Sequence, residues 1–155
     1  MDPVILVSAC LAGVRCRYDG GHNRFEPVVA LMKAGRALPV CPEQLGGLPT
    51  PRKPCEIREG RVWTFSGADA TAAFRRGAEE AFRLARLADC RRAILKARSP
   101  SCGAGIVYDG TFSRIRVPGD GMLAALLREA GIELATEEDA RIPWIRAVEA
   151  PNAGT

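Results

Sequence analysis

The sequence predicts a single-domain α/β fold: a three-layer α/β/α sandwich on a mostly parallel, Rossmann-like sheet. Short aliphatic runs at residues 4–8, 37–40, 93–96 and 132–135 have the character of strands buried on both faces. Segments of helical period separate them, and strands alternating with helices favour parallel pairing with helices on both faces of the sheet. The chain's 155 residues, 47% of them apolar, can bury one sizeable core but hardly two. The domain is therefore expected to take in residues 1–155, with a core at about 4–140 and a tail at about 141–155.

Residues 4–8 form the first expected strand, which stops at the loop Cys10-Leu-Ala-Gly13. Residues 16–23 are turn-rich, after which Pro27 opens a helix running to about Lys33 that Gly35 ends. Residues 37–40 are the second strand, ending at Cys41. Residues 41–54 hold four prolines and two glycines, a composition that resists regular structure, so an ordered surface loop is expected there. Long loops inside compact domains are usually functional.

Residues 56–65 read as a hairpin about Glu59-Gly60. Ser66 or Asp69 can cap a helix over about 70–88, with Ala70, Phe74, Ala78, Ala81 and Ala85 at helical spacing and mostly charged residues opposite. Residues 93–96 give another strand, followed by a loop over 97–105 rich in Gly, Pro and Ser. A hairpin follows, with strands at 106–108 and 112–117 about the Asp109-Gly110 turn. Pro118-Gly-Asp-Gly121 leads into a helix over about 121–130 that Gly131 ends. Residues 132–135 are the last strand, Thr136-Glu-Glu-Asp139 begins a short helical turn, and the tail from Ala150 is expected to fray.

Asp2 stands where a secretory signal would be cationic, Ser8 interrupts the first apolar run, and no stretch reaches the ~20 apolar residues of a membrane span. A cytoplasmic protein is expected, with no membrane partner. The net charge of +4 is spread over mixed-sign segments with few aromatics, so extended nucleic-acid binding is not expected and a small anionic ligand fits as well. In a reducing compartment the six cysteines are metal ligands, reactive thiols or core filler rather than disulfides.

In open α/β sheets ligands gather beyond the carboxyl ends of the strands. Cys10, Cys41 and Cys102 each follow a predicted strand, so parallel pairing brings all three to one rim. Three thiolates suit a soft centre: zinc, copper(I) or an iron-sulfur cluster. Structural zinc sites ordinarily pair ligands about two to four residues apart, whereas this chain has no C-x-x-C and a single histidine. A four-iron cubane held by three cysteines would leave one iron open as a Lewis acid. Free cysteines are also often simply buried, so spacing alone leaves ligand and core filler both open.

Glu43, two residues after Cys41, is the candidate general base, or else a loop-stabilising carboxylate. Ser101, beside Cys102, can pass a proton or satisfy its own backbone. The 99–105 loop, Gly103 included, offers backbone N–H groups as an anion nest, and Asp19 and His22 are placed to line the mouth of the site. Cys90 reads as core, and Cys16 and Cys55 as incidental loop thiols or spare ligands.

The segments Val7-Ser-Ala-Cys-Leu11, Tyr18-Asp-Gly-Gly21, Cys41-Pro-Glu43, Gly46-Gly-Leu-Pro-Thr-Pro-Arg52, Ser99-Pro-Ser-Cys-Gly103 and Val117-Pro-Gly-Asp-Gly121 together resemble the thiouracil desulfidase family, over roughly residues 4–140. The resemblance implies a 4Fe-4S cluster on Cys10, Cys41 and Cys102, with Glu43 and Ser101 as the acid-base pair. It also implies a non-redox conversion of a thiolated pyrimidine base or nucleoside to its oxo form, with release of sulfide. A monomer or small homo-oligomer is expected. Two other classes compete: a metal or iron-sulfur binding module without turnover, and a thiol enzyme using Cys102 as nucleophile.

Overall fold

The structure is a computed structural model that describes residues 3–139 and 144–145. In chain order it contains β1 (Ile5–Ser8), a 3-10 turn (Ala9–Ala12), α1 (Glu26–Lys33), β2 (Ala37–Val40), α2 (Pro42–Leu45), β3 (Cys55–Arg58), β4 (Arg61–Thr64), α3 (Thr71–Leu87), β5 (Arg92–Leu95), β6 (Ile106–Tyr108), β7 (Arg116–Pro118), α4 (Met122–Glu129) and β8 (Glu133–Thr136). Four strands pair in parallel in the order β2-β1-β5-β8, while β3-β4 and β6-β7 form separate antiparallel hairpins. Pro39 sits opposite Val7 on β2, an edge strand, where a residue without an N–H is tolerated.

All of β1 is buried, as a central parallel strand requires. Its side chains alternate between two cores. Leu6 joins Ala81 and Ala85 of α3 and Leu123 and Leu127 of α4 on one face. Ile5 and Val7 join Val28 and Leu31 of α1, with Ile145, on the other. The three-layer sandwich is thus observed, and no described helix is long and apolar enough to cross a membrane.

The connections set where a ligand can sit. From β1 the chain moves to β2 on one side, then returns past β1 to β5 and on to β8. The strand order reverses between β1 and β5, and loops leaving their carboxyl ends diverge to open a crevice.

Several boundaries differ from expectation. Residues 9–12 wind as a 3-10 turn ended by Gly13 at φ 95°. The second strand of the later hairpin begins at Arg116, because Phe112 and Arg114 adopt positive φ. Thr136 extends β8, and Asp139 closes a turn by donating its N–H to the Thr136 carbonyl at 3.1 Å. Asp69, one of the two expected caps, accepts the Thr71 amide at 2.8 Å at the start of α3. The tail from about 141 lies outside the described residues apart from Trp144 and Ile145.

The largest difference is α2, a helical turn inside the segment expected to be irregular throughout. Proline at N1 loses no hydrogen bond and presets φ, so Pro42 starts this turn instead of preventing it. Glycine then lets it sit directly on α3. A Cβ on residue 46 would stand 2.0 Å from the Ala73 carbonyl oxygen, and one on residue 77 would stand 1.7 Å from that of Pro42. An ordinary helix-interior Gly→Ala stabilises by ~1 kcal/mol. Here the sign reverses: Gly77→Ala should destabilise by ~1–3 kcal/mol, read as a lowered urea midpoint, because two backbones must separate. A midpoint that rises would contradict this packing.

Candidate active site

The predicted convergence is present. A cavity of about 520 Å³ opens at the carboxyl ends of the parallel strands, and Cys10, Cys41 and Cys102 all line it, as do Cys16 and Cys55. Cys10 lies in the 3-10 turn after β1, Cys41 caps α2 after β2, and Cys102 belongs to the loop after β5. Cys10 and Cys102 are buried and Cys41 is half-buried.

Three of these thiols interact electrostatically. Cys16, only 2% exposed, interacts with both Cys10 and Cys41, and Cys41 Sγ meets the Cys16 carbonyl at 3.8 Å. The interaction with Cys16 lowers the Cys10 thiol below its ordinary range and brings Cys41 to about 6, against the opposing effect of burial. The Gln44 amide at the start of α2 and the Arg52 guanidinium also favour the Cys41 thiolate, and Lys96 favours that of Cys10. Cys16, which keeps the shared proton, is pushed up. Burial holds Cys102 at about 12, so it stays protonated until a cation displaces the proton. This makes Cys102 a poor free nucleophile and counts against the thiol-enzyme reading.

The sulfur-rich wall has the donor chemistry suited to a soft centre.

Beside the thiols lies a polar network. Ser101, 1% exposed, donates its hydroxyl to Glu43 Oε2 at 2.9 Å. With that hydrogen committed, the 2.9 Å contact between Ser99 and Ser101 must have Ser99 as donor. Ser99 Oγ in turn accepts the amides of Ser101 and Cys102, each at 3.1 Å, which shapes the loop bearing Cys102. Arg52 Nε donates to Glu43 Oε1 at 2.9 Å, an ion pair whose side chains are only 6% and 15% exposed. Lys96 is held by Glu137 at 3.3 Å, and Glu137 also accepts the Ala97 amide at 2.7 Å.

Glu43 and Ser101 are therefore brought together in the cavity wall. The expected mouth residues are not. Asp19 accepts the Gly21 amide and pairs with Arg17, His22 Nδ1 accepts the Arg24 amide, and neither lines the cavity. Arg17, Tyr18 and Asn23 do. Gly103 packs inside its loop, where a Cβ would stand 2.7 Å from the Ser99 carbonyl oxygen. The anion nest is closed as well: the amides of Ser101, Cys102, Gly103 and Gly105 are taken by Ser99 and Asp120. Cys90 packs in the α3–α4 core as expected.

In the sequence Arg52 and Ser99 have no role beyond membership of a motif, whereas Cys16, read as an incidental thiol or spare ligand, lines the cavity. The S-x-S spacing at Ser99 and Ser101 was the one local signal available, since a hydroxyl two residues back can bond its own loop.

Residues 5–139 match the protein family described as 2-thiouracil desulfurase. The chain is 40% identical over 146 residues to the uncharacterized protein YbbK of Bacillus subtilis (strain 168), covering 88% of this chain and 97% of that one. A solved structure of a 4Fe-4S-dependent thiouracil desulfidase, TudS, superposes with a TM-score of 0.87 at 44% identity, covering 96% of this chain and 98% of the other.

Proposed function

The chain belongs to the 2-thiouracil desulfurase family, and from that premise we propose that it is a thiouracil desulfidase working with a 4Fe-4S cluster on Cys10, Cys41 and Cys102. The observation that carries this reading is the placement of three strand-end cysteines and a hydrogen-bonded Glu43–Ser101 pair in the wall of one cavity. The ligand set follows the three motif cysteines. Cys16 and Cys55 fall outside those motifs, so a four-iron cluster held by these three residues alone would have one iron without a protein ligand.

When bound, the cluster supplies an open iron that acts as a Lewis acid toward the thiocarbonyl sulfur. The remaining work belongs to side chains. A carboxylate has about four lone-pair sites, and Arg52 and Ser101 engage one on each oxygen of Glu43. The others are free to take a proton from water as it attacks the thiocarbonyl carbon. Ser101, backed by Ser99, provides a hydroxyl path for returning a proton toward the leaving sulfur. Overall, thiouracil and water give uracil and hydrogen sulfide, with no net electron transfer. The cavity volume of about 520 Å³ falls within the range of small-molecule sites, ~300–1,000 Å³.

Protein reconstituted with iron and sulfide under argon should convert thiouracil to uracil and release one sulfide per uracil without a reductant, as quantified by chromatography and a sulfide assay. Thiouracil left intact by iron-loaded protein would overturn the reading and favour a binding module.

A further inference from the structure

Arg52 touches both halves of the site. Its Nε donates to Glu43 Oε1 at 2.9 Å. Its Nη2 donates to the Cys16 carbonyl at 2.7 Å and lies 3.9 Å from Cys41 Sγ. Its Nη1 reaches Thr50 Oγ1 at 3.0 Å and the Pro49 carbonyl at 3.2 Å. The side chain is 6% exposed, and a guanidinium buried to that degree is tolerated only when paired and fully hydrogen-bonded.

We propose that Arg52 is a positioning residue that fixes the Glu43 carboxylate relative to Cys41, so that the base and the sulfur mount keep one geometry during desulfidation. The planar fork suits this task, because its nitrogens diverge at fixed angles toward a carboxylate, a sulfur and three loop oxygens at once. Lysine offers a point charge that cannot span those partners. With Arg52 holding Oε1 and Ser101 holding Oε2, the carboxylate cannot swing about its own side-chain torsions. A displacement of ~1 Å in a reacting group can cost ~100-fold in rate.

The kinetic half of this inference rests on the desulfidase reading; the structural half does not. In reconstituted protein, Arg52→Lys should keep the iron content and visible spectrum of the wild type while kcat falls ~100-fold with KM nearly unchanged. Added guanidinium should restore part of the rate to Arg52→Ala but none to Glu43→Gln. Wild-type kcat in Arg52→Lys, or equal loss of iron and rate, would overturn the proposal. Metal-free protein gives a readout independent of activity, through the urea midpoints of Arg52→Met, Glu43→Met and the double variant, each single change removing the pair. Coupled residues predict that the double variant's shift is smaller than the sum of the single shifts, and additive shifts would overturn the proposal. If iron-loaded wild type fails on thiouracil, the functional reading falls, and this cycle alone decides whether Arg52 holds Glu43.

Discussion

Glu43→Gln is expected to load iron normally and to desulfurate thiouracil ~10²–10⁴-fold more slowly, the usual contribution of a positioned general base. At ~1.4 kcal/mol per decade, that is a loss of about 3–5 kcal/mol of transition-state stabilisation. Glutamine is the informative replacement because its carbonyl and amide can still meet Arg52 and Ser101. Alanine would leave the Arg52 charge buried and unpaired, and breaking such a pair costs ~3–5 kcal/mol of stability. A lost cluster in Glu43→Ala would then report a collapsed loop rather than missing chemistry. The check is kcat beside iron per chain: a variant with full iron and wild-type turnover would deny Glu43 its role, and Ser101 would then need a different partner as base.

The second large effect concerns the mount. Cys10→Ala, Cys41→Ala and Cys102→Ala should each fail to retain the cluster and fall to the turnover of metal-free protein, since a three-point mount has no redundant member. Packing loss alone does not account for this outcome, and Cys90 provides the control. Cys90 is 6% exposed, comparable to Cys10 at 8% and Cys102 at 3%, yet it packs in the α3–α4 layer away from the cavity. Cys90→Ala should lose a similar amount of buried sulfur while keeping iron and activity. Iron content measured after anaerobic reconstitution separates the two cases. A Cys10, Cys41 or Cys102 variant that retains full iron would remove that residue from the ligand set, and Cys16, which lines the same cavity and interacts with both Cys10 and Cys41, would be the first replacement to test.

The convergence of the three cysteines was legible in the sequence because it follows from topology rather than contact. Each follows a short aliphatic run, and parallel strands place their following loops at one edge whatever the loops themselves do. The pairing of Glu43 with Ser101 was only half legible: each residue adjoins a motif cysteine, but the hydrogen bond between them spans 58 positions. What remained hidden depends on chain reversals that no local pattern encodes. Residues 46–54 fold back so that the Arg52 amide meets the Tyr18 carbonyl at 2.7 Å, and only that return brings the guanidinium to Glu43. Likewise α2 was concealed because proline reads as a breaker until its place at N1 is known, and because the Gly46–Gly77 approach is a tertiary contact.

The mouth failed for the opposite reason, since Asp19 and His22 spend their polar atoms on amides two residues away. Short-range turn bonding of this kind is the ordinary use of such residues in loops. Their neighbours Arg17, Tyr18 and Asn23 face the cavity instead. The same distinction argues against the 99–105 loop as an anion site: its Ser101, Cys102, Gly103 and Gly105 amides are taken by Ser99 and Asp120, and the loop serves to place Ser101 and Cys102.

The most direct test is to reconstitute the protein anaerobically to graded iron contents and to plot the rate of uracil formation from thiouracil against cluster per chain. A straight line through the origin is expected, with full activity at one four-iron cluster per chain and none in the metal-free protein. Turnover that persists without iron, or a fully loaded protein that leaves thiouracil unchanged, would contradict it.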